Sequence, residues 1–382
     1  MATSSNGGRP FCDDLAVDIL LRLPVESLLR FKCICKHWYE IMKSHSFIRE
    51  HMNWNSKSKS PQILIYDHSA LDDSPPITFF SVSDASVLEY PPDYLRGFRG
   101  MTYLLGSVDG LFLLEQEIDG SILNISSSLW NPATREVRPL PAANFDLQPF
   151  FTQMDRQFGF GLDPMTNDYK VVWFRSFWDD IRNHTIPRQY AAVYSCSRDS
   201  WRILEPANLI HDFCAEAIGT AYLNGTYYWL LCGGSCTSKD CSVLSFDFDN
   251  EVFVEIGGPD VGHAFNHRYV RLVLLDDFIA LMTVVEGFFY DVWVMIQPGV
   301  WNKQLTFQCT SYIKSWYSSA LIFVNKRPHL FSYDVRTQTT RNLGFRHPGL
   351  RRAIWKTTDG CSVHFYKESL VIIKRENGEP NH

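Results

Sequence analysis

The sequence predicts an α + all-β chain: a short N-terminal module of three helices, then a β-propeller of about six blades. Three observations predict it. The stretch Phe11–Ile48 carries apolar residues at helical spacing in three runs. From Gln62 onward the texture turns to short strands separated by Asp-Gly and Asn-Gly dipeptides. An aromatic–turn–strand unit then recurs at intervals of about 40–50 residues, the period of a propeller blade.

Composition bounds the rest. The 382 residues leave room for one large or two modest domains, and 45% hydrophobic with 14% aromatic content supports a sizeable core. A net charge of −6 argues against nucleic acid or an anionic membrane as the main partner. The longest apolar runs are broken by charge, as in YVRLVLLDDFIALMTVV, so no membrane span is expected. The opening MATSSNGGRP lacks the apolar centre of a secretory signal and reads as a flexible tail. Ten cysteines in such a chain read as reduced thiols, which implies a cytoplasmic and/or nuclear location. Their spacing suits no metal: Cys33 and Cys35 point to different helix faces, and Cys232, Cys236 and Cys241 have no histidine close by. No metal and no cofactor is expected.

In chain order, Asp13 and Asp14 stand where carboxylates favour a helix start. Leu15, Ile19, Leu20 and Leu23 form the first apolar run, which Pro24 ends. Ser27 or Glu26 can open the second helix, with Leu28, Leu29 and Phe31. The third run holds Cys35, Trp38, Tyr39, Ile41 and Met42, with Arg30, Lys32 and Lys36 on outer faces. A segment of under about 40 residues rarely has a core of its own. Its apolar faces must be covered by the rest of the chain or by a partner, and periodicity alone leaves these two even.

The pattern D-L-x-x-D-I-L-x-R-L-P-x-x-S-L-x-R-F-x-C-x-C-K-x-W, from Asp14 to Trp38 and continuing through Ser46-Phe47-Ile48, resembles the F-box, closely the plant type. The resemblance implies a three-helix module that docks on the Skp-family adaptor of an SCF ubiquitin ligase, and through it on cullin and RING subunits. It implies adaptor-facing roles for Leu15, Ile19, Leu20, Leu23, Pro24, Leu28 and Phe31, with Lys36 and Trp38 behind them. One departure stands out: Phe11-Cys12 replaces the Leu-Pro with which most members open, and Cys12 forgoes the rigid helix start of proline.

Residues 51–60 lose apolar periodicity and read as a linker or helix end. The β-domain follows over 61–376, with a short tail at 377–382. QILIY, ITFF, GLFLLEQ, YKVVWF, YAAVYS, TYYWLL, VLSFDF, FIALMTVV and DVWVMI read as strands, with Asp109-Gly110, Asp119-Gly120 and Asn224-Gly225 as tight turns. GSVDGLFLL followed by SLWNPATREVRPLP is echoed by YLNGTYYWLL followed by LSFDFDNEVFVEI, with partial copies in YSCSRDSWRIL and LFSYDVRTQTTRNL. These repeats suggest a kelch-like propeller. The same motifs, with FGFGLDPMTNDYKVV and the Trp301 strand, look like the F-box-associated domain of plant F-box proteins, and the wording is similar to S-locus F-box-like proteins. In those relatives the domain recognises S-ribonucleases.

The aromatics Trp130, Tyr194, Trp201, Trp229 and Tyr333 are expected to pack between blades, and Asn131, Asp163, Asp199 and Asp334 to hold turns through side-chain to backbone hydrogen bonds. Target specificity is expected in the segments 142–157, 176–189, 205–218, 232–241 and 258–270. Phe177, Trp178, Arg182, His211 and Arg268 are the large residues there suited to anchoring an interface, although Trp178 can simply extend its strand. Enzyme signatures are missing from the sequence: the histidines are scattered, there is no G-x-S-x-G, and Gly159-Phe160-Gly161 reads as a bulged strand rather than a dinucleotide loop. The resulting expectation is a non-catalytic substrate receptor of an SCF ubiquitin ligase, its target protein unidentified. The alternative is a propeller that binds a ligand or partner without ubiquitin transfer, with the helices as an intramolecular lid. Deleting residues 1–55 is expected to separate the two, since only a lid's loss would destabilise the β-domain.

Overall fold

A computed structural model describes residues 13–58, 62–67, 77–89, 102–117, 125–142, 151–179, 188–204, 219–232, 241–261, 270–285, 289–309, 312–317, 320–324, 329–346 and 361–373. Among them, helices α1 (Asp13–Leu21), α2 (Val25–Phe31), α3 (Lys36–Lys43) and α4 (His45–Ser58) precede six four-stranded antiparallel sheets. Blade 1 joins β1 (Gln62–Asp67), β2 (Ile77–Ser81) and β3 (Ser86–Glu89) to the last strand, β24 (Cys361–Tyr366). Blade 2 is β4 (Thr102–Val108), β5 (Leu111–Glu117), β6 (Ile125–Asn131) and β7 (Glu136–Pro139). Blade 3 is β8 (Phe151–Asp163), β9 (Asp168–Asp179), β10 (Arg188–Ser195) and β11 (Ser200–Leu204). Blade 4 is β12 (Thr220–Leu223), β13 (Thr226–Cys232), β14 (Cys241–Asp247) and β15 (Val252–Gly257). Blade 5 is β16 (Arg271–Leu275), β17 (Phe278–Val285), β18 (Phe289–Gln297) and β19 (Val300–Gln308). Blade 6 is β20 (Tyr312–Tyr317), β21 (Ala320–Val324), β22 (His329–Asp334) and β23 (Thr339–Arg346).

The ring closes where β24 pairs with β1 in the register Gln62↔Tyr366, so opposite ends of the chain complete blade 1. The first strands of the blades meet one another around the axis: β4 lies against β8 and β24, and β16 against β12 and β20. Antiparallel order then sorts the connections. Turns between first and second strands, and between third and fourth, emerge on one face; every other connection leaves from the opposite face.

The first of these faces is built from turns that the sequence encodes. Asp109 and Asn224 have φ of 52° and 47°, each followed by a positive-φ glycine, as a two-residue hairpin of the mirror-image type requires. Asn131 Oδ1 accepts from the N–H groups of Ala133 and Thr134, Asp163 Oδ1 from Met165 and Thr166, and Asp334 Oδ1 from Arg336 and Thr337. Asp199 departs from the expected pattern. It sits at φ 52°, and its Oδ1 accepts from Arg138 Nη2 of blade 2 at 2.9 Å and from Tyr194 OH at 2.5 Å. Basic side chains likewise clamp neighbouring blades elsewhere: Arg202 pairs with Glu251, and Arg341 donates to the carbonyls of Val82 and Ser83.

Trp130, Tyr194 and Trp229 are fully buried, and indole N–H groups staple blades together: Trp229 donates to Phe158 O, Trp201 to Pro141 O and Trp301 to Gly257 O. Gly159 and Gly161 are not at a bulge. The register shift in β8 lies between Gln153 and Asp155, well before them. They are glycine because blade 4 presses on their Cα atoms: an added Cβ would stand 2.6 Å from Tyr227 at Gly159 and 2.4 Å from Tyr222 at Gly161.

The helices adjoin the turn face. α4 is a fourth helix that periodicity did not reveal, because two of its inward residues are polar. His51 is fully buried and stacks on Phe47; its Nε2–H donates to Leu23 O at 2.9 Å, and its Nδ1 accepts from Asn55 Nδ2 at 3.3 Å. Residues 51–58, expected as a linker or helix end, therefore belong to this helix. Pro24 is the N-cap of α2, and Glu26 stands in its first turn, where its carboxylate favours the helix start, and pairs with Arg30. Cys35 caps α3 by accepting from Trp38 N, and Ser44 Oγ accepts from Phe47 N at the start of α4.

Candidate functional site

The helical module has two faces of different character. Inward, Leu20, Leu21, Val25, Leu28, Met42, Phe47 and Ile48 are buried in one continuous core with Val108 and Leu111 of blade 2, Phe160 and Val171 of blade 3, and Leu370 and Val371 beyond β24. Polar contacts reinforce this junction. Arg49 Nη2 donates to Asn167 Oδ1 at 3.0 Å in the β8–β9 turn. Burial pushes the Asp109 carboxyl up, although Tyr169 OH donates to it at 2.8 Å and Arg49, Lys367 and His45 oppose the shift. Lys32, expected on an outer face, is half-buried toward blade 2; burial lowers its ammonium below the ordinary range while the Glu136 carboxylate pulls the other way. The covering of the apolar surplus is thus partly intramolecular.

Outward, a second set of apolar side chains remains uncovered. Leu15 is 53% exposed and Ile19 45%, one turn apart on α1. Arg22 continues that stripe, pairs with Asp18 and lies over the exposed Trp54 ring at 5.1 Å. Beside it, Val17, His37, Glu40, Ile41, Phe47 and Glu50 line a groove between α1, α3 and α4. Of the residues to which the sequence assigned adaptor contact, Leu15, Ile19, Pro24 and Lys36 lie exposed, and Leu23, Phe31 and Trp38 lie part-buried, with Phe31 and Trp38 rings 5.9 Å apart. Leu20 and Leu28 are turned fully inward into the chain's own core.

Comparison with known proteins bears on this arrangement. Residues 101–373 match the family described as the F-box associated beta propeller domain, and residues 11–50 match the F-box domain. The chain belongs to the F-box-associated propeller family and carries an F-box. It is 26% identical to the F-box/kelch-repeat protein At3g23880 of Arabidopsis thaliana, over 81% of this chain and 83% of that protein. To the Arabidopsis F-box protein CPR1 it is 26% identical, over 85% and 77%. The F-box and the propeller together support the role of a substrate adaptor in an SCF-type ligase, and an F-box indicates binding to a Skp1-type adaptor.

On the propeller, the strand ends that bound 118–124, 180–187, 205–218, 233–240 and 262–269 all lie on the face opposite the F-box. The candidate target segments depart from this face, except that 151–157 and 176–179 are strand and belong to β8 and β9. Phe177 and Trp178 are both inside β9, at register positions opposite Gln153 and Thr152. Arg182, His211 and Arg268 lie outside the described residues, as do Phe11, Cys12 and the Asp119-Gly120 turn. Among the described residues no group of three or more His, Cys, Asp or Glu side chains is placed to hold a metal, and no helix is long and apolar enough to cross a membrane.

Proposed function

We propose that this chain is the substrate-recognition subunit of an SCF ubiquitin ligase, acting in the cytoplasm and/or nucleus. The exposed stripe of the F-box docks on a Skp-family adaptor, through it on cullin and RING subunits, and the opposite propeller face holds a target protein. Ubiquitin passes from a conjugating enzyme elsewhere in the complex to a lysine of the target, which is then degraded by the proteasome. The receptor supplies proximity and orientation and no bond-making group. The observation that carries this reading is the pairing of an uncovered Leu15–Ile19 stripe with a matched F-box.

Packing of the helices on the turn face also favours a second reading, a propeller whose helices are only an intramolecular lid. Deleting residues 1–55 does not separate the two, because either reading now predicts that the propeller loses stability. Substitution on the outer stripe does. A lid is indifferent to Leu15→Asp with Ile19→Asp, whereas an adaptor site is destroyed by it. Within the first reading, the narrower target that S-locus F-box-like proteins imply is a ribonuclease. Direct binding of a basic secreted ribonuclease to the purified chain tests that narrower claim alone.

Ubiquitin transfer is tested by reconstitution. Proteins retained by the full chain, and lost when 180–187 or 233–240 is replaced by Gly-Ser, are presented to the assembled adaptor–cullin–RING complex with its conjugating enzyme. Chain-dependent ubiquitylation is expected. Captured proteins that stay unmodified while the chain is bound to its adaptor would sink the receptor reading.

A further inference from the structure

Beyond its closing strand β24, the chain continues as an extended segment, 367–373, that no motif in the sequence singled out. It runs under the helices and over the turn face of blade 2, and Ser369, Leu370, Val371 and Ile373 within it are buried. Its backbone is held by side chains of the β6–β7 hairpin. Asn131 Nδ2 donates to both Ser369 O at 3.1 Å and Val371 O at 2.8 Å. Arg138 Nη1 donates to Ile373 O at 3.2 Å, and Glu136 Oε2 accepts from Ile373 N at 3.1 Å. Gly110, at φ +78°, lets the segment approach: an added Cβ would stand 2.3 Å from Lys367 O and 2.7 Å from Ser369 Cβ. On its other side the segment meets the F-box. Ser369 Oγ donates to Met52 Sδ of α4 at 3.8 Å, and Leu370, Val371 and Ile373 share one core with Leu20, Leu28 and Phe47.

We propose that segment 367–373 is a coupling strap, clamped by Asn131, Glu136 and Arg138, that locks the F-box and the propeller in a single fixed orientation. The clamps on the strap's backbone all come from blade 2, while its apolar side chains share a core with the helices and Ser369 reaches Met52 of α4, so one segment engages both bodies. Its consequence for ubiquitin transfer rests on the receptor reading: the target face then stands at a set distance and angle from the adaptor. The coupling itself holds whether or not an adaptor binds.

Asn131 permits a selective test. Its Oδ1 holds the β6–β7 turn through the N–H groups of Ala133 and Thr134, and only its Nδ2 holds the strap. Asn131→Asp keeps the turn acceptor and sets an oxygen against two carbonyls. Leu370→Ala attacks the helix side of the strap without touching that turn. Amide hydrogen exchange on the full-length chain, with no adaptor present, is the readout. In both variants the amides of α1–α4 are expected to exchange about tenfold faster or more, while those of β16–β19 keep their wild-type rates. Unchanged exchange in α1–α4 would overturn the coupling, and so would equal acceleration in every blade, which would mark a general stabiliser. Either outcome leaves the adaptor-docking reading untouched.

Discussion

Asp109 is held between a hairpin turn and the F-box, where burial raises its carboxyl above the ordinary 3.8 despite the hydrogen bond from Tyr169. A carboxyl raised in the folded state ionises at a greater cost there than in the unfolded chain. The stability it contributes is present below pH 3.8 and is lost as pH rises through its folded value. Asp109→Asn keeps an acceptor for Tyr169 and tolerates φ 52°, so this decline is expected to disappear, with equal or higher stability at pH 7. Urea midpoints between pH 4 and pH 7 check it. Asp163 behaves in the opposite sense: burial is outweighed by Thr166, Lys170 and two backbone N–H groups, and its carboxyl lies below the ordinary value, so its contribution is lost as pH falls. Gly161 makes a steric prediction. Gly161→Ala drives a Cβ into Tyr222 and Phe248, and is expected to cost about 1–3 kcal/mol by chemical denaturation, with Gly257→Ala, which meets nothing, as control. At this scale the sequence was only partly legible. Asn131, Asp163 and Asp334 cap turns as their type suggests, but Asp199 serves a neighbouring blade, and no local pattern announces a partner 61 residues away.

Elements divide by the surfaces they bury. All nine strands legible as apolar runs are second or third strands of their blades, covered on both sides: β1, β2, β5, β9, β10, β13, β14, β17 and β18. First and fourth strands lie at the axis or the rim, where burial is partial, as in β12 and β15, so no apolar run marks them and those that were legible showed through the repeated motifs instead. α4 was hidden for a related reason, since two of its buried residues, His51 and Asn55, are polar and bond to each other where apolar spacing would otherwise show. The F-box helices show why motif residues divide as they do. On α1, Leu15 and Ile19 face out while Ala16 and Leu20 face in, so neighbouring positions carry opposite duties. Leu20→Asp would bury a charge in the shared core and is expected to unfold the module, seen as loss of helical circular dichroism. Leu15→Asp with Ile19→Asp is expected to shift the thermal transition far less than Leu20→Asp does, because both side chains are about half exposed while Leu20 is fully buried.

For the whole molecule, antiparallel arithmetic separates two roles. Turns and F-box occupy one face, and the connections that hold the candidate target segments depart from the other. A blade count of about six was legible from repeat spacing, because the aromatic, turn and returning strand recur along the chain. The junction was not, because it is assembled from parts distant in the chain: helices near residue 20, turns near 110 and 167, and a strap near 370. The β24–β1 pairing places that strap beside the start of β1, so ring closure and F-box seating converge on one region. The central claim, that the outward stripe of the F-box is an adaptor site, is tested most directly by titrating the purified full-length chain with a purified Skp-family adaptor in a calorimeter. One-to-one binding is predicted for the wild type, weakened roughly 100-fold or more by Leu15→Asp with Ile19→Asp. A wild type that does not bind, or a variant that binds equally well, would contradict it.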